Sequence, residues 1–372
     1  MTKIPSTHAD FGPGDGPLDE RLLTRIVHVI PYDGIGGVEI ATASVDADRY
    51  EGFVFSKAFI ATIGEGAGPR PYVYESGKGP ENNPRAYVRT VRHLLKVRPH
   101  VLVLSLWRAC IVGLIVKAIR PRTRLIVFLH NTRHSNKVDA VLTRLTARFA
   151  SGIWADSASS AVQRLGPAWV ARTRPISFLT RRMARVTGDA PGPRFVTWGR
   201  LHPRKRIELA LDFFALVHAR HPDARFTIVG PDRGQRAMLQ AKAEALGVRD
   251  AVDFAGPGDI DRIAHYASSS AFFIQTSRAE GMGMAVVEAM QLGLVPVVTP
   301  VGEIGTYVAD GRNGIWFTSP QEAYERFERL LADPDSYRAM SWAATQTWEG
   351  RSLYREEFLA ACSELAFEIA VR

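Results

Sequence analysis

Short, nearly continuous apolar segments alternate with helical patterns along most of this chain. Val, Ile and Phe dominate these segments, as in strands that are buried on both faces of a sheet. The alternation therefore predicts an α/β fold built from doubly wound parallel sheets. The predicted strands are RIVHVI (25–30), HVLVLS (100–105), RLIVFLH (124–130), GIWADS (152–157), FVTWG (195–199), FTIVG (226–230), VDFAG (252–256), AFFIQT (271–276) and VPVVT (295–299).

The pattern breaks at residues 186–194, VTGDAPGPR, which are rich in Gly and Pro and suit a linker. A chain of 372 residues is also too long for one ordinary core. We therefore expect two domains, each with its own doubly wound sheet. The last stretch, RSLYREEFLAACSELAFEIAV (351–371), predicts a long amphipathic helix.

Several features of the sequence indicate a cytoplasmic protein. Residues 1–22 are polar and lack the apolar core of a signal peptide, so we expect a mobile tail. The two cysteines, Cys110 and Cys362, are too few for a disulfide framework and fit a reducing compartment. The most apolar region, residues 101–119, is interrupted by Arg108 and Lys117. It predicts a buried strand followed by a buried helix, rather than a membrane span.

The formal net charge of +9 indicates an anionic partner: nucleic acid, an anionic membrane surface or a phosphorylated substrate. Residues 170–186 hold five arginines and no acid, a pattern that also fits a plain solvated surface. No zinc-finger, RRM or helix-turn-helix signature accompanies them, so nucleic acid is the weaker interpretation. A membrane surface that carries a lipid-linked acceptor is the hypothesis for this stretch.

Loops that follow the strands are the first places to look for a site, because ligands of open parallel sheets bind outside the carboxyl ends of the strands. The loop after the first strand, PYDGIGGVEIA (31–41), contains Gly34, Gly36 and Gly37. These glycines allow a phosphate or sugar to approach the backbone. A plain tight turn explains them equally well, and Glu39 stands where the dinucleotide fingerprint has its third glycine.

The strand RLIVFLH ends in His130, where an imidazole can orient a sugar hydroxyl or polarise a leaving group. His134 lies four residues later, a spacing that also occurs in zinc sites. The metalloprotease pattern needs Glu after the first histidine, whereas this chain has Asn131. We therefore do not expect zinc here.

Arg200 and Lys205 follow the strand FVTWG and precede a helix. A guanidinium offers a planar fork and an ammonium offers a compact point charge, and both suit phosphate oxygens. Either residue alone would be ordinary surface. Together at one strand end they predict a phosphate site.

The segment RAEGMGMAVVEAM (278–290) places Glu280 and Glu288 in apolar surroundings. Burying an unpaired carboxylate is costly, so both side chains either face solvent or meet a bound polar group. A second acidic pair, Asp259 and Asp261, opens a predicted helix. Helix capping explains that pair without a metal ion.

Gly199-Arg200 with Lys205, followed by Glu280 and Glu288, resembles the retaining nucleotide-sugar glycosyltransferases of GT-B fold, glycosyltransferase family 4. The similarity covers most of the chain and is strongest from Phe195 to Phe317. There GMGM (281–284), AMQLGLVPVVT (289–299) and DGRNG (310–314) follow the family order. The N-terminal GGVE (36–39) and the strand-end His130 fit more loosely.

The resemblance implies a donor-binding role for five residues. Arg200 and Lys205 would hold the donor diphosphate, and Gly36 and Gly37 would let its phosphates approach. Glu288 would bind the ribose hydroxyls of the nucleotide.

The resemblance also implies which residues meet the transferred sugar. Glu280 and His130 would be the catalytic residues, with Glu280 close to the anomeric carbon and His130 contacting the sugar from the N-terminal domain. Backbone amides would bind the sugar and phosphate at Gly281, Met282, Gly283 and Met284.

The family fold implies two Rossmann-like domains that face a cleft. The expected organisation is a tail (1–22), an acceptor-side domain (23–186), a linker (187–194), a donor domain (195–348) and a C-terminal helix (349–372) that returns to the first domain.

The implied reaction needs no metal cofactor, because Arg200 and Lys205 would neutralise the leaving diphosphate. The expected partners are a nucleotide-sugar donor, a saccharide or lipid-linked acceptor and an anionic membrane surface, with no nucleic acid. The segment after Thr299 departs from the family, since Gly305 and Thr306 replace its usual Pro-Glu, which leaves the donor open. A nucleotide-sugar epimerase and a catalytically silent binding protein are the alternatives.

Overall fold

The computed structural model describes residues 23–34, 37–62, 70–80, 82–130 and 133–371. The chain forms two compact units. One holds the described residues up to Thr180 together with those from Ser352 onwards, and the other is Arg181–Arg351. The predicted mobile tail lies outside the described residues, and the predicted linker 187–194 lies within the second unit.

The first unit is built on a mostly parallel sheet in the order β2-β3-β1-β5-β6-β7-β8, with β4 also paired to β3. Its strands are β1 (Thr24–Asp33), β2 (Arg49–Tyr50), β3 (Phe53–Thr62), β4 (Val73–Glu75), β5 (Val101–Ser105), β6 (Arg124–Leu129), β7 (Gly152–Ala155) and β8 (Thr173–Pro175). Its helices are α1 (Gly37–Ala43), α2 (Pro84–Val97), α3 (Leu106–Ile119), α4 (Lys137–Phe149), α5 (Ala158–Leu165) and α13 (Tyr354–Ala370), with a 3₁₀ turn at Pro167–Arg172.

The apolar segments become central strands because both faces of this sheet are covered. Every residue of β5 is buried, as the Val/Leu run predicts. The chain continues from β5 directly into α3, which confirms the strand-then-helix interpretation of residues 101–119. Among the described residues, no helix is both long and apolar enough to cross a lipid bilayer. The C-terminal α13 packs against β1 and β3, where Phe358 stacks on His28 with ring centroids 5.4 Å apart.

The second unit contains a fully parallel sheet in the order β11-β10-β9-β12-β13-β14. The strands are β9 (Arg194–Trp198), β10 (Arg225–Val229), β11 (Val252–Gly256), β12 (Phe272–Gln275), β13 (Val295–Val298) and β14 (Ile315–Trp316). The helices are α6 (Ile207–Arg220), α7 (Arg236–Ala245), α8 (Ile260–Ser268), α9 (Met284–Gln291), α10 (Ile304–Tyr307), α11 (Pro320–Leu331) and α12 (Pro334–Gln346), with 3₁₀ turns at Pro203–Lys205 and Arg249–Ala251.

This second strand order is the Rossmann order. Strands β10 and β11 lie on one side of β9, and β12, β13 and β14 follow on its other side. Crossovers on either side of that switch leave in opposite directions, so the loops after β9 and β12 diverge and leave space for a ligand. The predicted class, α/β with doubly wound parallel sheets, is confirmed. The core below the switch is aromatic: Phe195 of β9 lies 5.4 Å from Phe272 of β12 and 5.1 Å from Phe327 of α11, centroid to centroid.

Candidate active site

The loops after β9 and β12 are joined by backbone-directed hydrogen bonds at the topological switch point. Thr276 donates its hydroxyl to the carbonyl of Arg206, with an O–O distance of 2.7 Å. The amide of Arg278 donates to the carbonyl of Arg204 at 2.8 Å. Because both bonds end on main-chain carbonyls of the basic loop, the Glu280 loop is held next to the basic loop whatever the side chains of Arg204 and Arg206 contact.

Lys205 and Glu280 form the central contact of this site. The Lys205 ammonium lies 2.9 Å from Oε1 of Glu280, and the Ser277 hydroxyl donates to the same oxygen at 2.6 Å. Ser277 is fully buried, and both charged side chains are partly exposed. One carboxylate oxygen of Glu280 is therefore held by two donors that come from the ends of neighbouring strands.

Glu288 lies on α9 and is held by the β9 strand end. The indole N–H of Trp198 donates to Oε2 of Glu288 at 2.9 Å. Burial raises the pKa of the Glu288 carboxyl, and the charges of Arg181 and Lys205 act in the opposite direction. The helix carries this carboxylate in apolar surroundings because an indole donor and two cations offset part of the desolvation.

The loop between the two glutamates has a fixed backbone. Gly283 precedes α9 with φ +68°, and a β-carbon there would lie 2.8 Å from Cγ1 of Ile304. The Tyr307 hydroxyl donates to the carbonyl of Met282 at 2.6 Å. The amides of residues 281–284 are thus positioned at the amino end of α9, the geometry in which a helix binds anions.

The segment that departs from the family pattern closes on this same loop. Gly302 has φ +62°, and a β-carbon at this position would collide with the carbonyl oxygen of Glu280. The amide of Glu303 donates to the carbonyl of Gly281 at 2.9 Å. Thr306, in place of the usual glutamate, donates its hydroxyl to the carbonyl of Glu303 at 2.8 Å. Thr306 therefore makes its hydrogen bond within the segment and stabilises the turn at Glu303–Thr306.

A pocket lies at the switch point, and it reveals one residue that the sequence did not single out. Gln275 ends β12 and is 3% exposed. Both polar atoms of its amide are buried without a hydrogen-bond partner in the described part of the chain. A buried amide is normally satisfied, so Gln275 is a further candidate for ligand contact. The pocket is lined by Thr197, Trp198, Gly199, Arg200, Lys205, Ile207, Ala210, Ile228, Ile274, Gln275 and Thr276.

The first unit holds the other candidate residues. His130 follows β6 and is buried; its Nε2 lies 2.8 Å from the hydroxyl of Ser105, which also lies 2.7 Å from Nε2 of His28. Burial, together with the charge of the nearby Arg164, lowers the pKa of His130 to about 3. His130 is therefore a neutral ring whose Nε2 is already engaged, so a contact with the sugar, which stays a prediction, would use Nδ1.

The glycine loop of the first unit is described only in part. Gly36 lies outside the described residues, and Gly37 begins α1. His134, the other member of the histidine pair, has its Nε2 3.1 Å from the carbonyl oxygen of Arg164.

The second acidic pair has a structural role that confirms the capping prediction. The carboxylate of Asp259 accepts from the amide of Arg262 at 3.0 Å at the start of α8. Asp261 lies in the first turn of the same helix.

The structure thus gathers Arg200, Lys205, Glu280, Glu288 and the 281–284 loop in the second unit, whereas His130 and Gly37 belong to the first. Residues 185–347 match the family model of glycosyl transferases group 1. This segment is therefore similar to the glycosyl transferases of group 1. The family resemblance predicted from the Glu280–Glu288 region is confirmed.

Curated proteins that are similar to this chain are named as glycosyltransferases. The GDP-mannose:cellobiosyl-diphosphopolyprenol alpha-mannosyltransferase of Komagataeibacter xylinus is 26% identical over 183 residues, 47% of this chain and 46% of the relative. The D-inositol 3-phosphate glycosyltransferase of Acidothermus cellulolyticus is 35% identical over 125 residues, 32% of this chain and 28% of the relative. The chain spans less than half the length of these relatives.

Solved structures with the same fold extend over nearly the whole chain. HepE of Anabaena in complex with UDP has a TM-score of 0.73 at 19% identity, covering 92% of this chain and all of HepE. Sucrose-phosphate synthase of Thermosynechococcus elongatus has a TM-score of 0.73 at 16% identity, covering 94% and 100%. The GT-B fold is therefore confirmed.

Proposed function

We propose that this protein is a retaining, metal-independent glycosyltransferase of bacterial polysaccharide or glycolipid synthesis. It moves a sugar from a nucleotide-diphosphate sugar to an acceptor hydroxyl. The observation that carries the proposal is the Lys205–Glu280 pair, 2.9 Å apart at the switch point of a Rossmann-order sheet. A cation and a carboxylate at this point match the two opposite charges that develop when a sugar leaves a diphosphate.

Donor binding uses the residues around the pocket. Arg200 and Lys205 line it and would bind the diphosphate oxygens, with further hydrogen bonds from the amides of residues 281–284. Glu288, held by the Trp198 indole, would accept hydrogen bonds from the ribose hydroxyls. Complexes of the structurally similar HepE with UDP and with UDP-glucose support a nucleotide-sugar donor.

Catalysis follows from a change of partner at Lys205. The incoming diphosphate competes with Glu280 for the ammonium, and Glu280 then stays attached to Ser277 with its charge directed to the sugar. The bond from the anomeric carbon to the diphosphate oxygen breaks, and negative charge grows beside Arg200 and Lys205. Glu280 stabilises the positive charge on the sugar. The acceptor oxygen bonds to the same face and its proton passes to the leaving diphosphate, so the configuration is retained.

The acceptor and the location of the enzyme belong to the same proposal. We assign a saccharide or lipid-linked acceptor, used by a cytoplasmic protein that associates with the inner face of the membrane. The Komagataeibacter relative, whose name specifies a diphosphopolyprenol acceptor, supports this assignment.

A thermal-shift screen of UDP, GDP and ADP and their sugars tests the donor assignment. A donor at 100 times its dissociation constant should stabilise the folded protein by about 2.7 kcal/mol. Donor hydrolysis and transfer are then measured with the nucleotide sugar that binds. Binding without turnover would favour a silent scaffold, interconversion of the free donor sugar would favour an epimerase, and no response to any nucleotide would contradict the proposal.

A further inference from the structure

Helix α4 presents its apolar side to solvent. Its buried residues are Asp139, Thr143, Thr146 and Ala147. The side chains at four other positions are large, apolar and exposed: Val138 (52%), Val141 (64%), Leu145 (41%) and Phe149 (56%). Their spacing of three, four and four residues places them in one stripe along the helix. A helix of a soluble domain normally has the reverse arrangement.

A buried ion pair fixes this orientation. The Arg164 guanidinium of α5 donates to Oδ1 of Asp139 at 2.6 Å, and both side chains are almost fully buried. Thr143 donates to the same oxygen at 2.9 Å, and the amide of Ser135 donates to Oδ2 at 2.7 Å. Rotating α4 to bury its apolar stripe would break this network and leave the buried Arg164 guanidinium without its carboxylate partner, which is strongly unfavourable. The exposed stripe is therefore part of the folded state.

Positive charge borders the stripe. Lys137, Arg144 and Arg148 are exposed on α4 and form no ion pair with the described part of the chain. On a helical projection they lie together along one edge of the stripe. Asp139 is the only acidic residue between positions 82 and 155 of the sequence, and it is buried. The neighbouring α3, which packs on α4, adds the exposed Ile115 and Ile119 and has no acidic residue.

We propose that the α4 stripe is a docking surface for an anionic lipid bilayer. A helix of 13 residues is about 20 Å long, too short to span a bilayer but suited to lie in its plane. The apolar side chains enter the boundary between headgroups and acyl chains, and the basic edge meets anionic headgroups. The basic edge and the absence of exposed acid on α4 favour this surface over an ordinary protein partner. The inference rests on the proposed membrane location and names the surface that achieves it.

This assignment replaces the arginine stretch 170–186 as the main membrane contact. Arg174 is paired with Glu364, and Arg185 lies 2.9 Å from Asp189. Arg182 donates to the carbonyl of Arg351 at 3.2 Å. These three arginines have internal partners, whereas Lys137, Arg144 and Arg148 of α4 form no ion pair with the residues that the structure describes.

Vesicle co-sedimentation tests the surface, with an exposed phenylalanine elsewhere in the same unit as the control. The Val141→Ser/Phe149→Ser variant is compared with Phe367→Ser, because Phe367 is also exposed (71%) near the end of a helix of the same unit. Wild type should bind vesicles that contain phosphatidylglycerol, and binding should decrease with added salt. The α4 variant should bind at least about tenfold more weakly, since each lost side chain removes apolar burial, while Phe367→Ser should match wild type.

A second pair of variants tests the charge. Arg144→Gln/Arg148→Gln should weaken binding to anionic vesicles, whereas Arg85→Gln/Arg92→Gln, exposed arginines of α2, should weaken it less. A fluorophore attached to the new thiol of Phe149→Cys should become less solvated on vesicles, whereas the same label on Phe367→Cys should not. Labelling is specific because the native thiols, Cys110 and Cys362, are buried.

Three results would overturn the proposal that α4 docks on a bilayer. They are no binding of wild type to anionic vesicles, binding by the α4 serine variant that equals that of wild type, or self-association of wild type that the same substitutions abolish. The last result would identify α4 as a contact between copies of this chain. Donor binding and hydrolysis are measured on every variant, so that loss of the docking surface is separated from failure of the proposed function.

Discussion

The Lys205 ammonium and the Glu280 carboxylate lie 2.9 Å apart although 75 residues separate them in sequence. The pair joins the first crossover of the second sheet to the loop after its fourth strand in sequence, β12. Ser277 donates to the same Glu280 oxygen, so the carboxylate would keep one partner in the proposed exchange of Lys205 to a phosphate. Substitutions at Lys205 and Glu280 should therefore affect the use of the donor in different ways.

Loss of either basic residue should weaken use of the donor. Lys205→Ala and Arg200→Ala should each lower kcat/KM for the donor. The expected loss corresponds to roughly 1.5–3 kcal/mol of transition-state binding free energy, the range for hydrogen bonds to charged groups. Neither variant should unfold, because Lys205 is partly exposed and Arg200 is exposed. Steady-state kinetics at varied donor concentration make the measurement. Arg312→Ala, an exposed arginine of the same unit that does not line the pocket, is the control. Unchanged donor kinetics in both pocket variants would remove the diphosphate assignment.

Activity should persist after treatment with EDTA, because Arg200 and Lys205 are proposed to supply the positive charge that a metal would otherwise provide. Rates are compared with EDTA, and with magnesium or manganese added back. Asp259 caps α8 through the amide of Arg262. If EDTA abolishes turnover and a divalent cation restores it, the metal-independent mechanism is wrong and the Asp259–Asp261 pair becomes the first candidate for the cation.

The first unit should lose stability as the pH falls below about 6.5, the ordinary histidine value. Burial lowers the pKa of His130 to about 3 and that of His28 well below its ordinary value, and Arg164 and Lys57 respectively act in the same direction. Between these values the unfolded chain binds protons that the folded unit does not. Stability therefore rises with pH across this window, by up to about 1.4 kcal/mol per pH unit for each histidine.

Hydrogen exchange of the β1 and β6 amides at several pH values measures this effect within the first unit. His130→Gln should show a shallower dependence on pH than wild type, because one of the two buried rings is gone. His265→Gln, which removes an exposed imidazole from the second unit, should keep the wild-type dependence. A wild-type profile that is flat from pH 6.5 to 4 would contradict the neutral, buried state of these rings.

The sequence predicted the central strands well because burial on both faces leaves a continuous apolar signal. All nine predicted segments contain strands of the two sheets. The long strand β3 was missed because Ser56 and Lys57 interrupt its apolar run, yet Lys57 is itself buried and its pKa is lowered to about 8 by desolvation. A polar residue in a buried strand is explained only by its tertiary surroundings.

The candidate site was predictable where residue type and strand-end position suffice, as for Lys205 and Glu280. Their partners were not predictable, because Ser277, Trp198 and Gln275 carry no distinctive local pattern. The orientation of α4 is a similar case. Its apolar periodicity alone favours burial of Val141 and Leu145. The ion pair between Asp139 and Arg164, 25 residues apart, instead buries the opposite face of the helix and leaves those two side chains exposed.

Glutamine substitutions at the two glutamates of RAEGMGMAVVEAM, Glu280 and Glu288, should change different kinetic constants. Glu288 is proposed to contact a part of the donor that does not react, so Glu288→Gln should mainly raise the KM for the donor. Glu280 is proposed to lie beside the bond that breaks, so Glu280→Gln should mainly lower kcat. Groups that stabilise transition-state charge are typically worth about 2.7–4 kcal/mol, or roughly a hundred- to thousandfold in rate.

Rates at saturating donor separate these roles from a purely structural one. If the only role of Glu280 is to accept hydrogen bonds from Lys205 and Ser277, the glutamine variant keeps an oxygen that accepts from both donors. That variant should then retain the wild-type kcat. If Glu288 only satisfies the Trp198 indole, its glutamine variant should likewise keep that bond and leave KM unchanged. Wild-type turnover by Glu280→Gln would show that this carboxylate does not act on the reacting sugar, and the catalytic role would then have to move to another residue of the same loop.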